Sequence, residues 1–303
     1  MNARFNMRRA AALCAALLCL LSFSARAEIR QYKANDTKVS APLEEGYISD
    51  TEYRDPSIHV VISEGREYDT DYLVIRISMQ NGTQIRTALE SSDGKATGNG
   101  ITIAKKARAV FAMNGDFFRE NKKSCGKYVV RQGKLKLNNA RGELDVLLID
   151  ENGGFHILLK PKKAEIKEYI EQNSLQIVNS FSFGPALMLN GELLEIQEDR
   201  AISTEGPAQR TALCRSEVTD GEYQLEYVCV VSAGPDNTGS TGMTLSQFAS
   251  VVAGVEGVTD AYNLDGGSSA IAVFRGTKIN TFGLKKNRPI SDIVCFCSAY
   301  APD

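Results

Sequence analysis

The sequence predicts a mixed α+β fold: a single domain with a mixed, mainly antiparallel β-sheet and a few packed helices. Three observations predict it. Short apolar stretches with period-two alternation recur along the 303 residues, the spacing of strands with a covered face. Turn pairs such as Asn81-Gly82, Gln132-Gly133, Asn190-Gly191 and Asp220-Gly221 separate them, as hairpins require. Only one segment combines a helical repeat with a strong cap. The chain shows no internal repeat or linker and is long enough for one substantial core.

Taken in order, residues 1–27 read as an export signal. Arg4, Arg8 and Arg9 precede an apolar run from Ala10 to Phe23, and Ala25-Arg26-Ala27 offers a cleavage site before Glu28. That run is shorter than the roughly 20 residues a membrane-spanning helix needs. The expected plan is therefore a signal at 1–27, an extended polar arm at 28–55 and the folded domain at 56–303. Strands are expected over His59–Ser63 and Tyr72–Met79, the second placing Leu73, Ile75, Ile77 and Met79 on one face. Ala109–Met113 is a short buried strand breaking into Asn-Gly-Asp. Hairpins follow over Lys127–Leu137 and over Asp145–Asp150 with Phe155–Leu159.

Lys163–Asn173, with Ile166 and Ile170 four apart, predicts a short surface helix. Phe181–Leu189, Arg210–Cys214 and Tyr223–Ser232 are further strands. The strongest helix starts after Thr244, where Thr-Leu-Ser-Gln is a capping box and Leu245, Phe248, Ala249 and Val252 mark one face up to Gly254. Strand residues Asp260–Asn263, Ala270–Phe274 and Asp292–Ser298 complete the chain.

The whole sequence carries a formal charge of −2. Without Arg4, Arg8, Arg9 and Arg26, 31 of the 35 basic residues remain against 37 acidic ones, a charge of −6. Such a chain has no overall attraction to nucleic acid, which is not an expected partner, and no stable membrane span is expected after signal cleavage. Cys14 and Cys19 leave with the signal, and the remaining five cysteines are an odd number. Cys214 and Cys229 flank Asp220-Gly221, so a hairpin disulfide is one expectation. Cys295 and Cys297 share one strand face, where two small buried apolar residues serve as well as a thiol pair.

The chemistry is expected where apolar strands break into small and polar residues: Asn114-Gly115-Asp116-Phe117-Phe118, Ser182-Phe183-Gly184-Pro185 and Asn263-Leu264-Asp265-Gly266-Gly267-Ser268-Ser269. Glycines let backbone approach a ligand, while carboxylates, amides and hydroxyls supply acid, base and donors. His59 and His156 lie outside these segments, and no Gly-x-Ser-x-Gly turn occurs, which argues against a Ser-His-Asp hydrolase. Oxygen ligands from Asp116, Asp265 and the asparagines would suit calcium or magnesium.

In this order, Asn-Gly-Asp-Phe-Phe, Phe-Gly-Pro-Ala-Leu, Gln-Arg-Thr-Ala-Leu and Asn-Leu-Asp-Gly-Gly-Ser-Ser resemble the phosphodiester glycosidase family, from about His59 to Ala299. Asn287-Arg288-Pro289 resembles its C-terminal pattern. The family often carries glycine where this chain has Asp116. The resemblance implies an exported or cell-envelope hydrolase that splits a carbohydrate phosphodiester of the N-acetylglucosamine-1-phosphodiester kind, with an exopolysaccharide connection among bacterial relatives. It implies Asp265 and Asp116 as catalytic carboxylates, and the glycines beside Asp265, which leave room for substrate, favour it as the reactive one. Arg210 and Arg288 would hold phosphate, while Asn114, Gly115, Gly184, Asn263, Gly266, Gly267, Ser268 and Ser269 would line the substrate site. The rival readings are a non-catalytic carbohydrate-binding or exopolysaccharide assembly protein, and a phosphodiesterase that cuts P–O.

Overall fold

The computed structural model describes residues 28–94, 96–116, 126–196, 206–217, 221–235, 239–281 and 288–302. The signal expected at 1–27, Phe117, Phe118, Cys125, Asp220 and Asn287 lie outside the described residues. Strands dominate, and every strand pairing is antiparallel among the described residues. The α+β expectation holds.

The chain opens with β1 (Glu28–Ile29), β2 (Tyr47–Ser49), β3 (Glu52–Asp55), β4 (Ile58–Glu67), β5 (Thr70–Met79) and β6 (Ile85–Leu89). Helix α1 (Gly100–Lys106) leads into β7 (Ala109–Asn114), then the hairpins β8 (Tyr128–Arg131) with β9 (Lys134–Asn138) and β10 (Val146–Asp150) with β11 (Phe155–Leu158). After α2 (Lys163–Gln172) come β12 (Ile177–Phe181), β13 (Ala186–Leu189), β14 (Glu192–Leu193), β15 (Thr211–Ser216) and β16 (Leu225–Ser232). Helix α3 (Leu245–Ala253) precedes β17 (Val258–Leu264), β18 (Ala272–Phe274), β19 (Thr277–Lys278), β20 (Asp292–Cys297) and β21 (Tyr300–Ala301).

These strands form a nine-stranded sheet in the order β14-β13-β17-β15-β16-β5-β4-β3-β2 and two five-stranded sheets, β19-β18-β7-β20-β6 and β11-β10-β12-β8-β9. The main core lies where the inner faces meet: Leu73, Ile75 and Ile77 of β5 and Tyr227 of β16 pack with Phe111 of β7, Leu147 of β10 and Phe296 of β20. Helix α3 covers the opposite face of the large sheet with Leu245, Phe248 and Val252. Thr244 closes its first turn by the expected capping box with Gln247. Helix α1 and the arm residues Tyr32 and Val39 cover the outer face around β7 and β20, and Ile166 of α2 packs on Val146 and Leu148 of β10.

Several expectations change. The Cys214–Cys229 disulfide does not form: both cysteines are free. Leu213 stands opposite Cys229 and Cys214 opposite Val228, so the one-residue offset sends the two thiols to opposite faces. Cys229 joins the main core and Cys214 the core under α3. Phe181–Leu189 is not one strand but two in different sheets, β12 and β13, parted at Gly184-Pro185. The arm at 28–55 is built into the fold at both ends, through β1 against β21 and through β2 and β3 at the edge of the large sheet. The turn expected at Asn81-Gly82 is present, as a short 3-10 turn capped by the Asn81 side chain. Cys295 and Cys297 do share a face, buried among apolar neighbours.

Candidate active site

Three strand ends meet between the large sheet and its neighbour. Strand β7 delivers Asn114, Gly115 and Asp116, β17 runs into Asp265, and Arg288 to Ser291 lead into Asp292 of β20. Strands β7 and β20 are paired with Ile293 opposite Asn114, which brings Asp292 beside Gly115. A Cβ on Gly115 would stand 2.4 Å from Oδ2 of Asp292, so any side chain there would push that carboxylate out of place.

The Asp265 loop is fastened through its own backbone. Nδ2 of Asn114 donates to the carbonyl oxygen of Asp265 at 2.6 Å, and Oγ1 of Thr211 donates to the same oxygen at 3.0 Å. Asn114 also accepts from the Ile271 N–H at 3.1 Å. Gly266 lies against β15's entry, where a Cβ would come within 2.4 Å of the Gln209 carbonyl oxygen, and the Gly267 N–H donates to that carbonyl at 2.8 Å. These glycines set the turn that leaves the Asp265 carboxylate facing a depression.

Around Asp265 the charges are compact. Arg288 Nη2 donates to Oδ2 of Asp265 at 2.9 Å and also to the Ser269 hydroxyl oxygen. The Arg288 N–H donates to the carbonyl of Ser268 at 3.0 Å, so the two loops hold each other. The Asp265 side chain is 17% exposed and that of Arg288 46%. Burial raises the Asp265 pKa above the usual carboxylate value, and Asp116 adds to the rise; Ser269, Arg288 and Lys127 oppose it. The result is a reachable carboxylate that holds a proton more readily than an ordinary one.

Asp116 differs. It is fully buried, pairs with the guanidinium of Arg131 through Oδ1, and accepts the Ser182 N–H at 2.7 Å through Oδ2. Arg131 also reaches Asp292, with Nε at 3.0 Å and Nη2 at 2.7 Å from Oδ2. Burial pushes the Asp292 pKa up to about 6; Arg131 and Lys127 oppose the rise and Asp116 adds to it.

Of the residues expected from sequence, Asn114, Gly115, Asp116, Asp265, Ser269 and Arg288 line one depression. Arg210 is not brought there. It shares the strand face of Ala212 and Cys214, and its donors turn to the carbonyls of Met243, at 3.2 Å, and Gly206, at 3.1 Å. Burial lowers its pKa. Asn263 donates to the Gly184 carbonyl at 2.7 Å, so it ties the segment after β12 to β17. Among the described residues its Oδ1 is buried without a hydrogen-bond partner.

Sequence reading missed Arg131, Asp292, Lys127 and Thr211. A charged residue entering or ending an apolar strand, as Asp292 and Arg131 do, was the available signal. A larger cavity, about 750 Å³, lies elsewhere, under the arm near Lys33, Arg86 and Gln176. It contains neither Asp116 nor Asp265, so the smaller depression is where the chemistry collects.

The residues do not fit a calcium or magnesium site. Each of the two carboxylates that would ligate one is paired with an arginine. Among the described residues no group of three or more His, Cys, Asp or Glu side chains is arranged to hold a metal ion.

A profile of the phosphodiester glycosidase family matches residues 107–297. The chain belongs to that family. No curated protein matches it. Among solved structures it is similar to the zebrafish N-acetylglucosamine-1-phosphodiester alpha-N-acetylglucosaminidase catalytic domain, auto-inhibited by its pro-peptide. The likeness covers 87% of this chain and 88% of that one, with 19% identity and a TM-score of 0.59. A hypothetical protein from Synechocystis is similar over 79% of this chain and 62% of that one, with 14% identity and a TM-score of 0.57. These likenesses establish the shared fold.

Proposed function

We propose that the protein hydrolyses a sugar-1-phosphodiester at the glycosidic C–O bond, releasing a free sugar and a phosphomonoester. The observation that carries this reading is the Asp265–Arg288 pair, an accessible carboxylate and a cation sharing one depression on a glycine-built loop. A phosphate dianion leaves more easily than an alkoxide, so the strong general acid of most glycosidases is dispensable. Arg288 supplies planar donors for phosphate oxygens, and transfer of its donors from Asp265 to the phosphate frees the carboxylate for reaction. Asp265 then acts at the anomeric carbon, as a base towards water or as a nucleophile. In both cases the C–O bond breaks, its electrons leave on the phosphate oxygen, and the water oxygen ends on the sugar.

An N-acetylglucosamine-1-phosphodiester is the first substrate to try, because the zebrafish relative's name specifies it. We also propose export, supported by the sequence pattern of residues 1–27. No helix among the described residues is long and apolar enough to cross a membrane. The test is release of free N-acetylglucosamine by the purified protein, with Asp265→Asn as control and with and without chelator. Release that the variant loses supports the reading. No release from this or other glycosyl phosphodiesters would turn it towards carbohydrate binding or exopolysaccharide assembly.

A further inference from the structure

We propose that Asp116, Arg131 and Asp292 form one buried positioning cluster that sets the Asn114–Gly115 backbone, and through it the electrostatics and aim of Asp265, without Asp116 touching the substrate. The inference rests on the reading of Asp265 as the reacting carboxylate.

Four observations carry it. First, all three side chains are buried, at 0% exposure for Asp116 and 2% for each of the others. Second, both Asp116 oxygens are engaged, one by Arg131 and one by the Ser182 N–H. A carboxylate so held has both oxygens committed to partners within the fold. Third, Arg131 is itself fixed from several sides. It donates to the carbonyls of Val130, at 3.1 Å, and Ser180, and its guanidinium carbon lies 4.6 Å from the centre of the Phe181 ring. The guanidinium thereby ties β8 and β12 of one sheet to the ends of β7 and β20 of the other.

Fourth, the cluster connects to Asp265 through a short path. Oδ2 of Asp292 packs on Gly115, whose N–H donates to the Asp292 carbonyl at 3.1 Å. Asn114, the next residue back, donates to both the Gly115 and Asp265 carbonyl oxygens. With two carboxylates on one guanidinium the cluster holds a surplus negative charge when all three groups are ionised. Of the cluster's charges, that of Asp116 acts on Asp265, and Ser269, Arg288 and Lys127 oppose it. A positioning cluster of this kind fixes geometry and charge without exchanging atoms with the substrate.

The test combines turnover with carboxyl titration, so that the two readings fail separately. Carbon-13 NMR follows the Asp265 carboxyl in the wild type and in Asp116→Asn, with Asp265→Asn to identify its signal. Turnover of the sugar phosphodiester is recorded against pH for the same proteins. In Asp116→Asn the lost negative charge moves the Asp265 titration, and the acid limb of kcat, to lower pH. Turnover falls by roughly ten- to a hundredfold, short of the loss in Asp265→Asn.

An Asp265 titration unchanged in Asp116→Asn overturns the proposal, as does loss of turnover equal to that of Asp265→Asn. A shifted titration in a protein with no sugar phosphodiester turnover keeps the cluster and removes the proposed reaction. Should Asp116→Asn fail to fold, the wild type still decides: the Asn114 side-chain amide signals must shift with the midpoint of Asp292, and their indifference to it overturns the proposal.

Discussion

Two aspartates of the site, Asp265 and Asp116, each meet an arginine, yet the pairs behave as opposites. Asp265 and Arg288 meet at the rim of a depression, on loops rich in glycine and serine, with the arginine half exposed. Asp116 and Arg131 meet inside the protein, with Asp292 as a third partner and backbone groups taking the remaining valences. The same two functional groups therefore serve different ends. An exposed pair is cheap to open, because water and substrate replace the lost partner. A buried one is costly to break, because the surviving charge stays in a low-dielectric setting.

That contrast is sharpest in substitutions. Asp265→Asn is expected to lower kcat by about a thousandfold or more with little change in thermal stability, since it removes a reacting group from a partly exposed loop. Near-normal turnover in this variant would take Asp265 out of the mechanism. Arg131→Met should act on the other quantity. Leaving two buried carboxylates without their cation costs about 3–5 kcal/mol, read as a lower midpoint in urea unfolding. A wild-type midpoint would show that the cluster carries no structural load.

A smaller effect follows from pH. The folded pKa of Asp292 is raised to about 6, above the unfolded value of roughly 3.9. Its protonated form is thus favoured on folding, and the stability it contributes is full below the unfolded value and lost as pH rises through about 6. Urea unfolding of the wild type across that range should show the decline, and Asp292→Asn should flatten it. Smallest is Arg288→Ala, expected to raise KM by roughly ten- to a hundredfold through weaker phosphate contact, with Arg288→Lys recovering part of the loss. An unchanged KM would remove Arg288 from phosphate recognition.

Both residues of the exposed pair were named from the sequence, but of the buried cluster only Asp116 was. Asp265 is announced locally by Gly266 and Gly267, whose lack of a side chain the close Gln209 carbonyl requires of Gly266. Helix α3 was equally plain, since its cap and apolar face are both local. Arg131 and Asp292, by contrast, are 161 residues apart and meet only because β20 pairs with β7 and because the second five-stranded sheet brings β8 alongside. No short-range pattern encodes that contact. The same limit explains Cys214 and Cys229: their turn was visible, but the one-residue register that sends them to opposite faces was not. Strand parity likewise places Arg210 on the face of Ala212 and Cys214, with its donors on the Met243 and Gly206 carbonyls. The short helix α1, only seven residues and containing two isoleucines and a threonine, gives too weak a helical signal to stand out.

Hydrolysis of a sugar-1-phosphodiester in water enriched in oxygen-18 tests the central claim most directly. Attack at the anomeric carbon places the label in the released sugar and leaves the phosphomonoester unlabelled. Label in the phosphomonoester would mean cleavage of the P–O bond and would contradict the glycosidic mechanism assigned to Asp265.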